Sequence, residues 1–495
     1  MDRRQFLKES GRLSLAVSLL PRTIQERTTH KPNIVLILVD DLGWTDLACF
    51  GSRYYETPNI DRLCASGMKF TQGYAACAVC SPTRAAVMTG RHPARLGITD
   101  WIHPTHRLKA QALAEGETPG GHESWPDRKL ATPINKLWLG HDEVTLAEAL
   151  KAEGYATCHV GKWHLGYEPW WPDKQGFDAN IGGNEYGHPP SYFDPYGNDS
   201  RPSIPTLPSR NPGEYLTDRE ASEAAAFIRR NKDQPFFLYM AHYAVHTPIQ
   251  SKGDLRNKYA AKTKTNQTSP TYAGMVESVD QAVGTILSTL EELDLTDRTL
   301  IVFTSDNGGA SHVSVDGGQA TDNSPLRQGK GFPYEGGIRV PWIISWPGKI
   351  ESGSNCAIPV CSQDLFPTLL GIAGAPLPRE RILDGMDIAP LLRGQHSLPR
   401  TALFWHFPHY WWGGRLTPYS VIREGDWKLI RHYEGQRLEL FNIRADIGEK
   451  TDLAARFPDR VRSLQKQLDL WLQDVGAELP KLNPDYRPEK NYFTP

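Results

Sequence analysis

Residues 33–41 read NIVLILVDD. From Ile34 to Val39 the run is apolar without alternation, and it is too short for a helix of ordinary length. Such a run is expected of a strand buried on both faces, as in a parallel sheet covered by helices on each side. It stops abruptly at Asp40-Asp41. The same pattern recurs along the chain. Thr145-Leu146-Ala147-Glu148 is a capping box opening a helix that stops near Gly154. A strand through Ala156 to Val160 follows and ends at Gly161-Lys162-Trp163-His164. A helix over Thr217 to Arg230 leads to a strand from Phe236 to Met240, then to His242 and His246. A helical pattern from Tyr272 to Leu293 precedes a strand from Leu300 to Thr304, which ends at Ser305-Asp306-Asn307. Alternation of this kind predicts an α/β fold with a large, mostly parallel sheet flanked by helices.

In open α/β sheets the ligand crevice lies outside the carboxyl ends of the strands. Asp40, Asp41, Lys162, His164, His246, Asp306 and Asn307 should therefore converge on one rim. Any one of these sequences is more often a solvated turn; their joint occurrence at the same topological position points to a site. Asp40, Asp41, Asp306 and Asn307 offer only oxygen, which suits Ca²⁺ or, second, Mg²⁺ rather than Zn²⁺. The remaining polar residues are cations or potential cations: Arg84, Lys162, His164, His246, and Lys330 within PLRQGKGFPYEGG (325–337). A divalent ion ringed by such groups suits a tetrahedral oxyanion, so sulfate or phosphate esters are the expected substrates.

The whole chain narrows the class. It has 495 residues, 39 % hydrophobic and 23 % charged, as in ordinary soluble proteins of two to three domains. A net charge of −2 and a pI near 6.8 leave no basic footprint for nucleic acid. Seven cysteines are an odd number, so at least one is unpaired within the chain; Cys356 and Cys361 are candidates for a bridge. At the N-terminus, Arg3-Arg4-Gln5-Phe6-Leu7-Lys8 and the apolar stretch from Leu13 to Leu20 resemble a twin-arginine export signal. The expectation is a leader over residues 1–30 and export to a bacterial periplasm or beyond. The apolar stretch from Leu13 to Leu20 is shorter than the roughly 20 apolar residues a span needs, and no other segment is expected to cross a membrane.

Residues 80–90 read CSPTRAAVMTG. Ser81 and Pro82 are good first-turn residues, and Ala85 to Met88 continue a helix. Cys80 thus stands at a helix N-terminus beside Arg84, where it is a structural thiol, a thiolate nucleophile, or the precursor of something else. Cys80-Ser81-Pro82-Thr83-Arg84 with Thr89-Gly90 resembles the signature of the formylglycine-dependent (type I) sulfatases. Gly154-Tyr155 through Gly161-Lys162-Trp163-His164 resembles that family's second signature, and the resemblance runs from about Pro32 to the C-terminal helix, nearest to bacterial arylsulfatase A-like enzymes. It implies the alkaline-phosphatase-like fold, and that a maturation enzyme oxidises Cys80 to formylglycine (3-oxoalanine). It further implies that Asp40, Asp41, Asp306 and Asn307 hold Ca²⁺ with the modified Cys80. Arg84 would steady the formylglycine hydrate, with Lys162 and His164 beside it, and His246 and Lys330 would contact sulfate and leaving-group oxygen. Gln328 departs from the family pattern, which has glycine before Gly329-Lys330.

The modification has a physical rationale. A sulfated thiol or serine would have to be cleaved by water at sulfur, whereas an aldehyde hydrate carries two hydroxyls on one carbon. One attacks sulfur and expels the alcohol; deprotonation of the other collapses the hemiacetal and releases sulfate. Asp306 is expected to take the first proton and His164 the second, with His246 or Lys330 protonating the leaving oxygen. Two other readings are a phosphoester or phosphonate hydrolase of the same superfamily, and a sulfated-glycan-binding protein in which Cys80 is never oxidised.

Three long irregular stretches, Trp101 to Leu139, Trp170 to Pro212 and Ala310 to Gln328, should surround the rim. Their aromatic and histidine residues suit stacking on sugar rings, so a sulfated carbohydrate is the expected substrate. Residues 31–400 read as the catalytic α/β domain, and 401–495 as a smaller α+β subdomain. In the latter, Ala402 to Phe407, Tyr419 to Arg423, Trp427 to Tyr433 and Leu438 to Ile443 read as antiparallel strands. Val461, Leu464, Leu468, Trp471, Leu472 and Val475 mark one face of a helix. Within WHFPHYWWGG (405–414), His406 and His409 are candidates to reach the substrate cleft.

Overall fold

The computed structural model describes residues 31–103, 120–411 and 416–488. The expected export leader lies outside these residues, as do residues 412–414 of the aromatic stretch and 104–119 of the first long loop. The central sheet has eight strands: β1 (Asn33–Val39), β2 (Met68–Phe70), β3 (Ala156–Gly161), β4 (Ala179–Ile181), β5 (Phe236–Ala241), β6 (Thr299–Ser305), β7 (Trp342–Ser345) and β8 (Ser354–Cys356). Their order is β8-β2-β7-β6-β1-β5-β3-β4. The five strands from β6 to β4 run parallel, and β7 is antiparallel to both its neighbours. The sheet is mixed and mostly parallel, as the unbroken apolar runs predict.

Side chains of β1 alternate between two cores, which explains why its sequence does not alternate. Val35, Ile37 and Val39 face one apolar cluster and Ile34, Leu36 and Leu38 the other. Four of the helices are α1 (Cys80–Thr89), α2 (Leu146–Ala152), α3 (Leu216–Arg230) and α4 (Pro270–Glu292). The first core is filled by Ala224, Phe227 and Ile228 of α3 and Val276, Val279, Val283 and Ile286 of α4. The second takes Ala85, Val87 and Met88 of α1, Leu146 and Leu150 of α2, and the later residues Leu365, Phe366 and Leu369. Helix α2 starts where expected: Thr145 Oγ1 accepts from the Glu148 amide at 3.1 Å, and Glu148 Oε2 accepts from the Thr145 amide at 2.8 Å.

The C-terminal residues form a four-stranded antiparallel sheet of β9 (Ala402–Phe407), β10 (Tyr419–Glu424), β11 (Trp427–His432) and β12 (Leu438–Asn442), in chain order. One face packs Ile422, Leu429 and Leu440 on Val461, Leu464, Leu468 and Leu472 of helix α5 (Pro458–Asp474). The other face packs Trp405, Phe407, Val421 and Ile430 on Tyr74, Ala76, Val79 and Ala86, so it covers the segment leading into α1. This geometry corrects one expectation. His406 bonds to Ser420 Oγ at 2.7 Å and Glu478 O at 3.0 Å, and His409 to Thr99 Oγ1 at 2.7 Å. Both rings are buried in packing and do not reach a cleft. Cys356 and Cys361 are both free thiols, as are the other five cysteines. Among the described residues no helix is long and apolar enough to cross a membrane.

One buried side chain offers a test of the packing. His159 on β3 lies edge-on to Trp163, Phe177 and Tyr239, with ring centroids 5.4–5.5 Å apart. Burial, with Arg84 adding to it, lowers its pKa to about 3. The unfolded chain therefore binds a proton here from about 6.5 downward that the folded chain does not, and stability falls as the pH drops below that value. In His159→Phe that loss disappears. The stability of the variant relative to the parent should improve by about 1.4 kcal/mol for each pH unit below 6.5, read from urea midpoints at pH 7 and 5.5. A difference independent of pH would mean that His159 is not held neutral.

Candidate active site

Because β6, β1, β5 and β3 are parallel neighbours, their carboxyl ends deliver side chains to one place. Asp40 and Asp41 follow β1, Lys162 and His164 follow or end β3, His246 follows β5, and Asp306 and Asn307 follow β6. Cys80 enters from the side as the first residue of α1, and Lys330 from the loop before β7. All are buried or nearly so. The residues around Cys80 hold that helix start in place. Thr83 Oγ1 donates to Cys77 O and accepts from its amide, at 3.2 and 3.1 Å. Ser81 Oγ donates to His164 O at 2.9 Å and accepts from the Ile102 amide at 3.0 Å. Gly90 closes the helix at φ 70°, where a Cβ would stand 2.9 Å from the Phe366 ring. The spacing of Thr83, Thr89 and Gly90 from Cys80 is thus the spacing of a short, anchored helix.

Ligand atoms of Asp40, Asp41, Cys80 and His246 lie within 4.8 Å of one another. Each of the three carboxylates meets a cation. Lys162 Nζ donates to Asp40 Oδ2 at 2.6 Å, and Lys330 Nζ to Asp41 Oδ2 at 2.9 Å. Arg84 Nε donates to Asp306 Oδ2 at 2.9 Å, while its Nη1 donates to Lys162 O at 2.8 Å. Asp306 Oδ1 accepts from the Asp41 amide at 3.2 Å, and Asn307 Nδ2 donates to Asp41 Oδ1 at 2.8 Å. His246 Nε2 stands 3.5 Å from Asp41 Oδ2.

The electrostatics pull neighbouring groups apart. Burial, then repulsion from Asp306, pushes Asp40 well above the usual carboxylate range. Burial acts on Asp41 in the same sense, but Lys330, His246 and Lys162 outweigh it and hold Asp41 below that range. Burial, and then Lys162 and Lys330 respectively, hold His164 and His246 neutral, far below the ordinary imidazole value. His164 Nε2 donates to Ile102 O at 2.8 Å, so the lone pair sits on Nδ1, which has no hydrogen-bond partner. The Cys80 thiol is pushed up by burial, the reverse of what a thiolate nucleophile needs.

These residues suit a hard divalent cation. Asp40 Oδ1 and Asn307 Oδ1 are buried oxygens without a hydrogen-bond partner, and the donors at the strand ends are oxygen-rich. Among the described residues this is the one cluster of His, Cys, Asp and Glu groups able to hold an ion.

Three neighbours escaped the sequence reading. His188 stacks on His246 with centroids 5.6 Å apart and planes 5° from parallel. Arg201 Nη2 donates to His188 Nδ1 at 2.8 Å and lies over the Tyr186 ring. Behind the strand ends, His242 Nδ1 donates to Glu220 Oε2 at 2.6 Å, both buried. His188 and Arg201 fall in the stretch expected to border the rim, but no spacing singles them out. Backbone strain does mark the place. Asp41, His164 and Gln328 are non-glycine residues at φ 60–62°, a conformation that costs on the order of 1 kcal/mol each. Gln328 therefore keeps the left-handed turn that a glycine would favour.

The sulfatase profile matches residues 32–375, and a profile described as N-sulphoglucosamine sulphohydrolase, C-terminal, matches residues 328–477. The chain belongs to the type I sulfatase family. A sulfatase of Formosa agariphila is 34 % identical, over 90 % of this chain and 87 % of the relative. The N-acetylgalactosamine-6-sulfatase of Sus scrofa is 38 % identical, over 91 % and 88 %. The crystal structure of Ps i-CgsB superposes with a TM-score of 0.74 at 31 % identity, covering 93 % of this chain and 96 % of the other; the same protein has been crystallised with k-i-k-neocarrahexaose. The fold is the alkaline-phosphatase-like α/β fold, and the sulfatase is a sulfuric ester hydrolase.

If the oxygen cluster holds a divalent ion, dialysis of the sulfatase against a chelator should lower its melting temperature. Restoring Ca²⁺ at about 100 times its dissociation constant should return about 2.7 kcal/mol of stability, and Asp41→Asn should abolish that return. A melting curve indifferent to chelation would show that these oxygens bind no cation.

Proposed function

We propose that the sulfatase hydrolyses sulfate esters of a carbohydrate, using Ca²⁺ and a formylglycine made from Cys80. The observation that carries this reading is the charge balance of the buried centre. Asp40, Asp41 and Asp306 face Arg84, Lys162 and Lys330, three carboxylates, all ionised once a divalent cation lies beside them, against three cations. A divalent cation added to that balance leaves a surplus of two positive charges beside Cys80, matched to a sulfate group and its departing dianion. Asp40, Asp41, Asp306 and Asn307, with the oxidised side chain at position 80, would hold the Ca²⁺. Mg²⁺ fits less well because so many protein oxygens converge.

When present, the ion supplies Lewis-acid stabilisation, and the formylglycine hydrate supplies one hydroxyl to attack sulfur and a second to release sulfate. The chain's own residues supply the rest. Lys162 and Lys330 give the developing charge on sulfate oxygens two fixed donors in a water-poor site, and Arg84 keeps Asp306 in place. Asp306 receives the proton of the attacking hydroxyl. His164, neutral with a bare Nδ1, receives the proton of the second. Lys330, or His246 once the bound sulfate ester's negative charge has let it take up a proton, delivers a proton to the leaving oxygen.

Carbohydrate is favoured because the rim over His246 is made of His188, Arg201 and Tyr186, polar and aromatic groups suited to sugars. A relative is named for N-acetylgalactosamine 6-sulfate, and a similar structure carries a carrageenan hexaose. We further propose that residues 1–30 direct export to the periplasm, that a formylglycine-generating enzyme acts transiently on Cys80, and that residues 401–495 form a subdomain covering that site.

Nitrophenyl sulfate should be turned over at least 100-fold faster than nitrophenyl phosphate, and the peptide spanning Cys80 should carry an aldehyde by mass spectrometry. A preference for phosphate would favour the phosphoester reading, and active enzyme with an intact thiol would overturn the role of Cys80. His246→Ala should slow substrates with poor leaving groups more than those with good ones. Equal slowing across a leaving-group series would remove its part as an acid.

A further inference from the structure

The loop that carries Lys330 has a second face. Ser311 and Gln328 flank Gly329, where a Cβ would meet Ser311 Oγ at 2.7 Å, and a Cβ on Gly331 would meet the Trp411 ring at 2.6 Å. On this face lies a pocket of about 500 Å³, in the size range of small-ligand sites, lined by His312, Arg327, Gln328, Tyr334, Trp411 and Arg437 among others. His312 lies edge-on to Trp411 with centroids 4.8 Å apart. Gln328 and Phe332, two residues to either side of Lys330, both line the pocket, so it adjoins the catalytic centre.

Its chemistry is that of a sugar site with an anion on it. Trp411 and Tyr334 supply flat apolar surface, and Arg327 stacks over Tyr334 with its guanidinium 3.8 Å from the ring centroid. Arg437 is 56 % exposed, and its Nη1 meets Glu439 Oε1 at 2.8 Å. Glu439 is buried beneath and, among the described residues, is the one carboxylate that either guanidinium meets: Arg327 Nη1 stands 4.0 Å from it. Two guanidiniums against one carboxylate leave a positive surplus facing solvent. Gln328 is exposed at the mouth while held at φ 62°. A side chain kept at a strained backbone position, on the rim of a pocket, is a mark of a site rather than of packing.

We propose that this pocket binds an anionic substituent, sulfate or carboxylate, on the sugar that adjoins the one whose ester is cleaved. The proposal rests on the carbohydrate reading above and goes further by requiring a substrate with two anionic groups on neighbouring sugars. Guanidiniums recognise either oxyanion with paired hydrogen bonds, and the aromatic walls accept the ring that carries it.

The test uses full-length matured enzyme turning over nitrophenyl sulfate, inhibited by saccharide pairs that differ by one anion. Iota- against kappa-carrageenan oligosaccharides add a sulfate. Chondroitin 6-sulfate disaccharide against the same disaccharide with its uronic acid reduced to the neutral sugar adds a carboxylate. The more anionic member of at least one pair is expected to inhibit at a ten-fold lower concentration, and the pair that responds identifies the substituent. Arg437→Ala, at an exposed position, should bring that ratio close to one. Gln328→Gly relieves backbone strain, should melt no lower than the parent, and should weaken the same ratio. Calorimetric titration of the same pairs onto Cys80→Ala protein reads binding without turnover, so an absence of hydrolysis counts against the ester-hydrolase reading and leaves the ratio measurable. Ratios near one in every pair, no saccharide binding at all, or a ratio that survives Arg437→Ala would overturn the subsite.

Discussion

The structure depends on six charges buried in one place. Asp40, Asp41 and Asp306 lie against Lys162, Lys330 and Arg84 with almost no access to water. Removing an ion from water costs several kcal/mol even after relaxation, and ion pairs recover that only with good geometry and further hydrogen bonds. Here the geometry is supplied by the backbone. Parallel strands set the carboxylates at fixed intervals, and the Asp41 amide and Asn307 side chain occupy the lone pairs that the cations leave. Asp40 Oδ1 has no hydrogen-bond partner, with Arg84 Nη2 3.7 Å away. Apolar replacement of a buried ionic centre is often neutral or stabilising, so charges concentrated in this way argue for chemistry rather than architecture.

Rigidity follows from the two cores. Each strand that ends at the site is sandwiched between helices on both faces, so its last residue cannot shift without disturbing close packing on two sides. That rigidity is what lets Asp41 and His164 be held at positive φ. It also contributes to the neutrality of His164 and His246. Burial comes first and the fixed Lys162 and Lys330 add to it, so both imidazoles stay neutral and keep a lone pair.

Much of this could be read from the chain. NIVLILVDD announced a doubly covered strand with carboxylates at its end, and the other strand ends repeated the message, so the rim assembled as expected. The capping box at Thr145 and the anchored helix at Cys80 are local, and local hydrogen bonding is written in local sequence. What escaped was contact between segments with no periodic signal. His188 reaches His246 across 58 residues that include α3 and β5, and Glu220 meets His242 from α3 with no spacing to announce it. His406 and His409, candidates to reach the cleft, are instead buried in packing, His406 on Ser420 and Glu478 and His409 on Thr99. Gln328 looked like a loosened turn, yet the loop keeps the left-handed geometry and absorbs the strain.

The C-terminal sheet joins recognition to the reacting centre. One of its faces closes over Tyr74 to Val79, the segment that ends in Cys80, and Lys428 on β11 donates to Glu335, five residues beyond Lys330, at 3.0 Å. Tyr74 OH donates to the same Glu335 at 2.7 Å. The approach to Cys80 and the loop of Lys330 are therefore tied to one buried carboxylate, with the sheet as its lid. The sheet is bonded to both segments that lead into the proposed centre, so a change in how it sits must be felt at Lys330 and at the start of α1 together.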